Sequence, residues 1–369
     1  MRKASPRADA ERTSAPLRGR GAQTSMPGRF EVCTRTVEDD GWGSLQPMDE
    51  AAVSSLSTEI REEHARRVIN RNASPDIPMR QSVNPYRGCE HGCAYCFARP
   101  SHAYLGLSPG LDFETRLFAK TNAAEVLRAE LAKPGYVPAP IALGINTDGW
   151  QPVERRYGIS RACLEVLRDA HHPVSIVTKG SALRRDIDLL AALAREALVH
   201  VHISITTLDN RLSARLEPRA AAPQARLRLI AALREAEVPV GVLVAPVIPA
   251  LTDEYLERIL IAAHAAGAQA AGYVLLRLPH ELKVLWRQWL QAHYPERAER
   301  VMHLLQQMHG GRDYDARFGL RQRGSGPLAD LLAQRFAKTC ARLGYSVLPP
   351  LRTDLFVPPR PLSPQGELF

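Results

Sequence analysis

The chain has 369 residues, 45% of them hydrophobic and 24% charged, with a formal net charge of +9. That length buries a substantial core and predicts one large domain or two smaller ones, and no run of about 18 apolar residues exists to form a membrane-spanning helix. Six cysteines and nothing resembling a secretory signal weigh against a disulfide-stapled secreted protein and point to the cytoplasm.

In chain order, residues 1–30 carry Arg2, Lys3, Arg7, Arg12, Arg18, Arg20 and Arg29 against Asp9 and Glu11. This net +5 is more than half of the whole excess, so residues 1–28 are expected to be a disordered, mobile basic tail. Clustered arginines attract polyanions without reading sequence, and the acid-poor start also has the character of an organelle transit peptide. Residues 29–78 read as an irregular lead-in with one helix over 53–70, closed by Pro75 and Pro78.

From 79 to 278 the pattern alternates. Strands are predicted at 141–146, 174–178, 199–206, 240–245 and 271–277, with helices near 122–132, 160–170, 181–196, 223–236 and 253–265. Adding the strand that leads into the first cysteine cluster gives about six βα units. Such strands, apolar on both faces, belong in a parallel sheet that right-handed crossovers curl into a full or partial barrel. The active site of such a barrel lies at the carboxyl ends of its strands. Helices near 280–292, 296–308 and 327–343 predict a C-terminal helical extension over 279–345, followed by a proline-rich tail at 346–369. Between them a glycine-bracketed loop holds Arg312, Arg317, Arg321 and Arg323 with Tyr314 and Phe318. It reads equally as a solvated connector or as a contact for a phosphate backbone and stacked bases.

The densest chemical signal is Asn84-Pro85-Tyr86-Arg87-Gly88-Cys89-Glu90-His91-Gly92-Cys93-Ala94-Tyr95-Cys96. Three thiols spaced Cys-x3-Cys-x2-Cys grip a metal centre from one side and leave a position open for substrate. A disulfide pair, a structural zinc completed by His91 or His102, and a [4Fe-4S] cluster on three thiolates all suit the spacing; the last explains why no fourth cysteine lies nearby. Cys163 and Cys340 share helix faces with apolar residues and are expected in the core, while Cys33 precedes the repeating pattern.

This motif, with Tyr95 at its aromatic position and the strand and helix alternation behind it, resembles the radical S-adenosylmethionine (SAM) superfamily. Residues 84–107 resemble the spore photoproduct lyase-like, DNA repair photolyase-like branch. The resemblance implies an α/β fold, a partial (β/α)6 barrel over 79–278. It also implies a [4Fe-4S] cluster on Cys89, Cys93 and Cys96, S-adenosyl-L-methionine as the second cofactor, and a reductant such as flavodoxin or ferredoxin. Tyr95, Thr147, Lys179, Ser204, Glu217 and Arg219 match positions that would contact SAM, with Lys179 set to pair with its carboxylate.

One departure stands out. Spore photoproduct lyase has an additional cysteine near the end of the second strand, where this chain reads Gly144-Ile145-Asn146-Thr147-Asp148. The implied reaction is reductive SAM cleavage directed at a damaged or modified nucleic-acid base. Modification of a protein or small molecule and a non-catalytic metal-cluster interaction module are the alternatives. At the far end Gln365, Leu368 and Phe369 resemble the peptide by which bacterial repair proteins dock on the sliding clamp. No membrane partner is expected.

Overall fold

A computed structural model describes residues 17, 19–30, 57–77 and 79–360. It opens with four short strands, β1 (Glu59–Glu63), β2 (Ile69–Arg71), β3 (Gln81–Val83) and β4 (Tyr86–Arg87). After the cysteine loop come α1 (Asp112–Thr115), β5 (Arg116–Lys120) and α2 (Ala123–Leu131). The alternating part follows as β6 (Ile141–Leu143), α3 (Glu154–Tyr157), α4 (Ile159–Asp169), β7 (Val174–Thr178), α5 (Ile187–Arg195), β8 (Val199–Ile205), α6 (Asn210–Leu216), α7 (Pro223–Glu235), β9 (Val240–Val247), α8 (Leu256–Ala265) and β10 (Ala270–Leu275). Three helices complete the chain: α9 (Leu282–His293), α10 (Pro295–Met308) and α11 (Pro327–Leu343).

Six parallel strands in the order β10-β9-β8-β7-β6-β3 form the main sheet, and β2 adds an antiparallel edge. This is the expected partial (β/α)6 barrel. Its strands are apolar on the helix-facing side: Ile176, Val201, Ile203, Val242 and Val244 are buried against α4, α5, α7 and α8. Cys163 lies fully buried on α4, and Cys340 packs at the edge of the same core, as helix spacing predicts. Asp209 begins α6 by accepting the Leu212 amide at 2.8 Å, one of the orphan donors of a helix start.

The barrel stays open between β10 and β2, and the glycine-bracketed loop seams that gap. Gln322 accepts the Leu275 amide at 2.8 Å, and Arg321 Nε donates to Asp76 Oδ2 at 2.7 Å. Arg317 pairs with Asp315, and Arg323 lies over the Tyr273 ring at 4.1 Å. Three of the four loop arginines are therefore engaged within the protein. The loop is a structural connector first.

Two expectations are corrected. Where a helix was predicted over 53–70, the described part holds β1 and β2 instead; Glu59 to Glu63 pair in parallel with β5, and Arg87 and Arg116 lie beside Glu63 and Glu59. Glutamate and arginine favour helix, but cross-strand pairing overrides so weak a preference. Nor are residues 19–28 a loose tail. Gly21 and Ala22 donate their amides to buried Glu114 at 3.0 and 2.8 Å, the Thr24 carbonyl accepts from Leu111, and Thr24 Oγ1 reaches Gln288 at 2.9 Å. Arg29 pairs with Glu281 at 2.8 Å, completing a strap across the molecule. Arg2, Lys3, Cys33, Gln365, Leu368 and Phe369 lie outside the described residues.

Candidate active site at the cysteine loop

The loop that carries Cys89, Cys93 and Cys96 starts where β4 ends. Gly88 and Gly92 both adopt positive φ, +75° and +64°, which a side chain would strain. The Cys89 amide donates to Phe113 O at 2.9 Å and the Ala94 amide to Leu216 O at 2.9 Å. Beneath them Arg99, fully buried, donates to the carbonyls of Cys93 at 2.9 Å, Gly92 at 3.1 Å and Gly110 at 2.8 Å, and to Glu114 at 3.1 Å. The backbone of Gly21 presses on the loop from outside: a Cβ there would sit 1.6 Å from the Gly92 carbonyl oxygen. The loop is held rigidly from both faces.

All three thiols line a cavity of about 1560 Å³ that opens at the carboxyl ends of the strands. Burial pushes each of them up, Cys93 to about 12, and for Cys89 the nearby Asp148 and its companion thiols add to the effect. Deprotonated together they would repel one another, a cost that a bound cationic centre offsets. A structural zinc site closes its tetrahedron with a fourth donor, and the two histidines nearest in sequence are engaged elsewhere. A cubane cluster gives each thiolate its own iron, so the donor set fits a [4Fe-4S] centre. His91 is engaged through Nδ1 with Asp148 Oδ2 at 3.3 Å, and His102 Nε2 meets the Arg116 carbonyl at 2.9 Å, behind the cavity wall.

Around the thiols the strand ends deliver the other side chains. Lys179, after β7, lines the cavity with Nζ 5.7 Å from the Tyr95 ring centroid. Its backbone amide donates to Asp148 Oδ2 at 2.8 Å, and Thr178 Oγ1 donates to Asp148 Oδ1 at 2.7 Å. Burial raises the Asp148 carboxyl, but the charge and hydrogen bond of His91 and the donors from β7 prevail and hold it at about 2. Ser204, within β8, also lines the cavity and donates to Ala245 O at 3.1 Å.

Tyr95 turns its ring to the cavity and its hydroxyl away, donating to Glu217 beside Thr206. Glu217 in turn accepts from Thr206 Oγ1 at 2.6 Å and from the buried Arg226. Burial pushes that carboxyl up, yet the charges of Arg226 and Lys179 outweigh it and keep it at about 2. Thr147 donates its hydroxyl to Tyr86 O at 2.8 Å, and Arg219 reaches Glu90 at 3.0 Å on the outer side of the loop. The structure thus brings Tyr95, Lys179 and Ser204 to the cavity wall with the cysteines. Thr147, Glu217 and Arg219 stand one layer behind it, bracing the loop.

The sequence marks His91 only as a zinc ligand and Asp148 only within the run after the second strand, and it does not single out Arg226 or Arg277. Asp148 and His91 tie the ends of β6 and β7 to the cysteine loop. Arg226, on α7, anchors Glu217. Arg277, after β10, lies with Cζ 4.9 Å from the Phe97 ring centroid, and its Nε is buried without a hydrogen-bond partner. Asp148 and Arg277 were findable, since both end strands whose carboxyl ends face the site. His91 and Arg226 carry no such signal. Among the described cysteines, only the clustered three line the cavity.

The family model for the Radical SAM superfamily matches residues 83–262. An uncharacterized protein of Mycobacterium tuberculosis is 43% identical over 230 residues, covering 62% of this chain and 68% of that protein. A variant of spore photoproduct lyase superposes with a TM-score of 0.57 at 14% identity, covering 86% of each chain. Another variant, solved with bound AdoMet and dinucleoside spore photoproduct, gives 0.54 at 14% identity, over 77% of this chain and 78% of that one. No helix among the described residues is long and apolar enough to cross a membrane.

Proposed function

The chain belongs to the radical SAM superfamily of enzymes, and on that premise we propose that it cleaves SAM reductively at a cluster on Cys89, Cys93 and Cys96, to act on a damaged or modified nucleic-acid base. The observation that carries the cluster reading is the trio of buried thiols at the mouth of a large cavity, with Lys179 beside them. A cluster held by Cys89, Cys93 and Cys96 would supply the electron for reductive SAM cleavage, and with it the radical chemistry of the site.

The chain's own residues do the positioning. Lys179 offers a point charge to the SAM carboxylate, and Ser204 a hydroxyl one strand away. Asp148 fixes the backbone at Lys179, so that the ammonium is presented from a rigid strand end. Tyr95, locked by Glu217 and Arg226, forms the wall between Cys93 and Cys96. Thr147 and Arg219 act in this reading as positioning residues for the same loop.

Support for a nucleic-acid substrate comes from the mouth. Phe97, 42% exposed, presents a ring for stacking, and Arg277 beside it a guanidinium for phosphate. The structurally similar lyase binds a dinucleoside photoproduct. The lyase's own reaction is not carried over, because the end of β6 lacks a thiol. Anaerobically reconstituted protein is expected to bind iron and release 5′-deoxyadenosine from SAM under a strong reductant, and Cys93→Ala to lose both. Background iron in the wild type, or no SAM cleavage, would sink the cluster reading. Mass spectrometry of nucleosides from cells with and without the protein tests the substrate.

A further inference from the structure

The interior of a βα barrel is ordinarily filled by interleaved layers of side chains. Here the cavity continues down from the cysteine loop to the lowest cavity-facing row of the sheet, where Ser82, Ala142, Ser175 and His200 stand side by side. One row above, Val177, His202 and Gly241 are neighbours. Two imidazoles on β8 therefore face a lumen with small side chains opposite. Neither row carries a formally charged side chain.

The space around His202 is specifically made. A Cβ on Gly241 would lie 2.9 Å from His202 Cδ2 and 3.1 Å from Nε2, so glycine gives the ring its place. At the base His200 faces the Pro349 carbonyl, and Leu348 and Leu351 of the C-terminal tail line the floor. His202, by contrast, hydrogen-bonds to none of the described residues. Burial, with His200 adding to it, pushes its imidazole down to about 4, so the ring is neutral near pH 7 and presents donor or acceptor according to tautomer. The ring is half-buried and lines the cavity, so a ligand that bonds to it takes the place of water there.

We propose that the lumen takes an uncharged, hydrogen-bonding heterocycle of nucleobase size, with His202 reading its polar edge and Arg277 holding the attached phosphate at the mouth. The proposal rests on the reading that this cavity receives a nucleic-acid substrate, and it specifies the orientation: base inward, phosphate outward. Charge is distributed accordingly: Lys179, Asp148 and Arg277 stand at the strand ends, and the rows below are neutral. A site built around such a hydrogen bond discriminates strongly against ligands that cannot form it.

The test uses reconstituted holoenzyme with uracil and thymidine 5′-monophosphate as probes. In wild-type protein labelled with nitrogen-15 in its histidine rings, both probes are expected to move the His202 resonances. Affinity should fall about tenfold in His202→Phe and recover in part in His202→Gln, which again offers a neutral donor and acceptor. Arg277→Met should weaken the monophosphate and leave uracil unchanged. Resonances unmoved by both probes, or His202→Phe binding like wild type, would overturn the proposal. Holoenzyme that binds DNA and cleaves SAM while His202 stays silent overturns the pocket alone. A His202 response to uracil without any binding of DNA or RNA keeps the pocket and removes the nucleic-acid reading.

Discussion

Replacing Glu217 by glutamine keeps the side chain's volume and removes its charge from a site 2% exposed. Arg226, 1% exposed, then keeps its hydrogen bonds to Ala221 O at 2.7 Å and Ser204 O at 2.9 Å but loses its counter-charge. The fall of the Glu217 carboxyl from an ordinary 4.5 to about 2 corresponds to about 3 kcal/mol. Removing one partner of a buried ion pair independently costs about 3–5 kcal/mol, in agreement. With an unfolding entropy of about 2.1 cal/mol/K per residue, each kcal/mol shifts a 369-residue chain by about 1.3 °C, so the melting temperature should drop by about 4–7 °C.

Circular dichroism of the cluster-free protein under anaerobic conditions reads this directly. The pH dependence follows from the sign of the perturbation. A carboxyl depressed in the folded state stabilises fully above its unfolded value and loses that contribution as pH falls from 4.5 toward about 2. The gap between wild type and Glu217→Gln should therefore narrow across that window. Adding Arg226→Met to the variant should restore stability, because two neutral side chains leave no buried charge uncompensated. A loss below about 2 °C, a gap that stays constant with pH, or a double variant weaker than Glu217→Gln would refute the argument.

Other expectations concern the loop and the cavity. Gly21→Val forces a Cβ against the Gly92 carbonyl, so the strap should lift and the cluster's visible absorbance should bleach faster in air; an unchanged bleaching rate would remove the strap from any protective role. Lys179→Met keeps volume but loses charge, and should raise the KM for SAM about 10–100-fold at unchanged iron content. A KM equal to that of wild type would show that the SAM carboxylate is held elsewhere.

The alternation from β6 to β10 was legible because buried parallel strands are long apolar runs and the helices between them carry a 3.6-residue period. The cysteine trio was legible for a different reason: its spacing is local, so neighbours in sequence are neighbours in the site. What escaped was long-range and polar. Glu59–Glu63 shows no apolar stripe and becomes a strand only because β5 lies beside it. Glu217 matched a SAM-contact position, yet its partner Arg226 arrives one helix later and draws the carboxylate behind Tyr95. The basic start misled at residues 19–28, where Glu114, far along the chain, accepts the amides of Gly21 and Ala22. At Arg321 both readings stayed open because its partner, Asp76, is equally distant in sequence.

The strap also sets an order of events. Thr24 and Arg29 find their partners at Gln288 and Glu281, more than 250 residues later in the chain. During synthesis the cysteine loop and the strands beneath it emerge long before those partners leave the ribosome. Until then only the end of the strap held by Glu114 and Leu111 can be latched, so its far end, from the Thr24 hydroxyl to Arg29, closes last and ties the start of the described chain to its late helices.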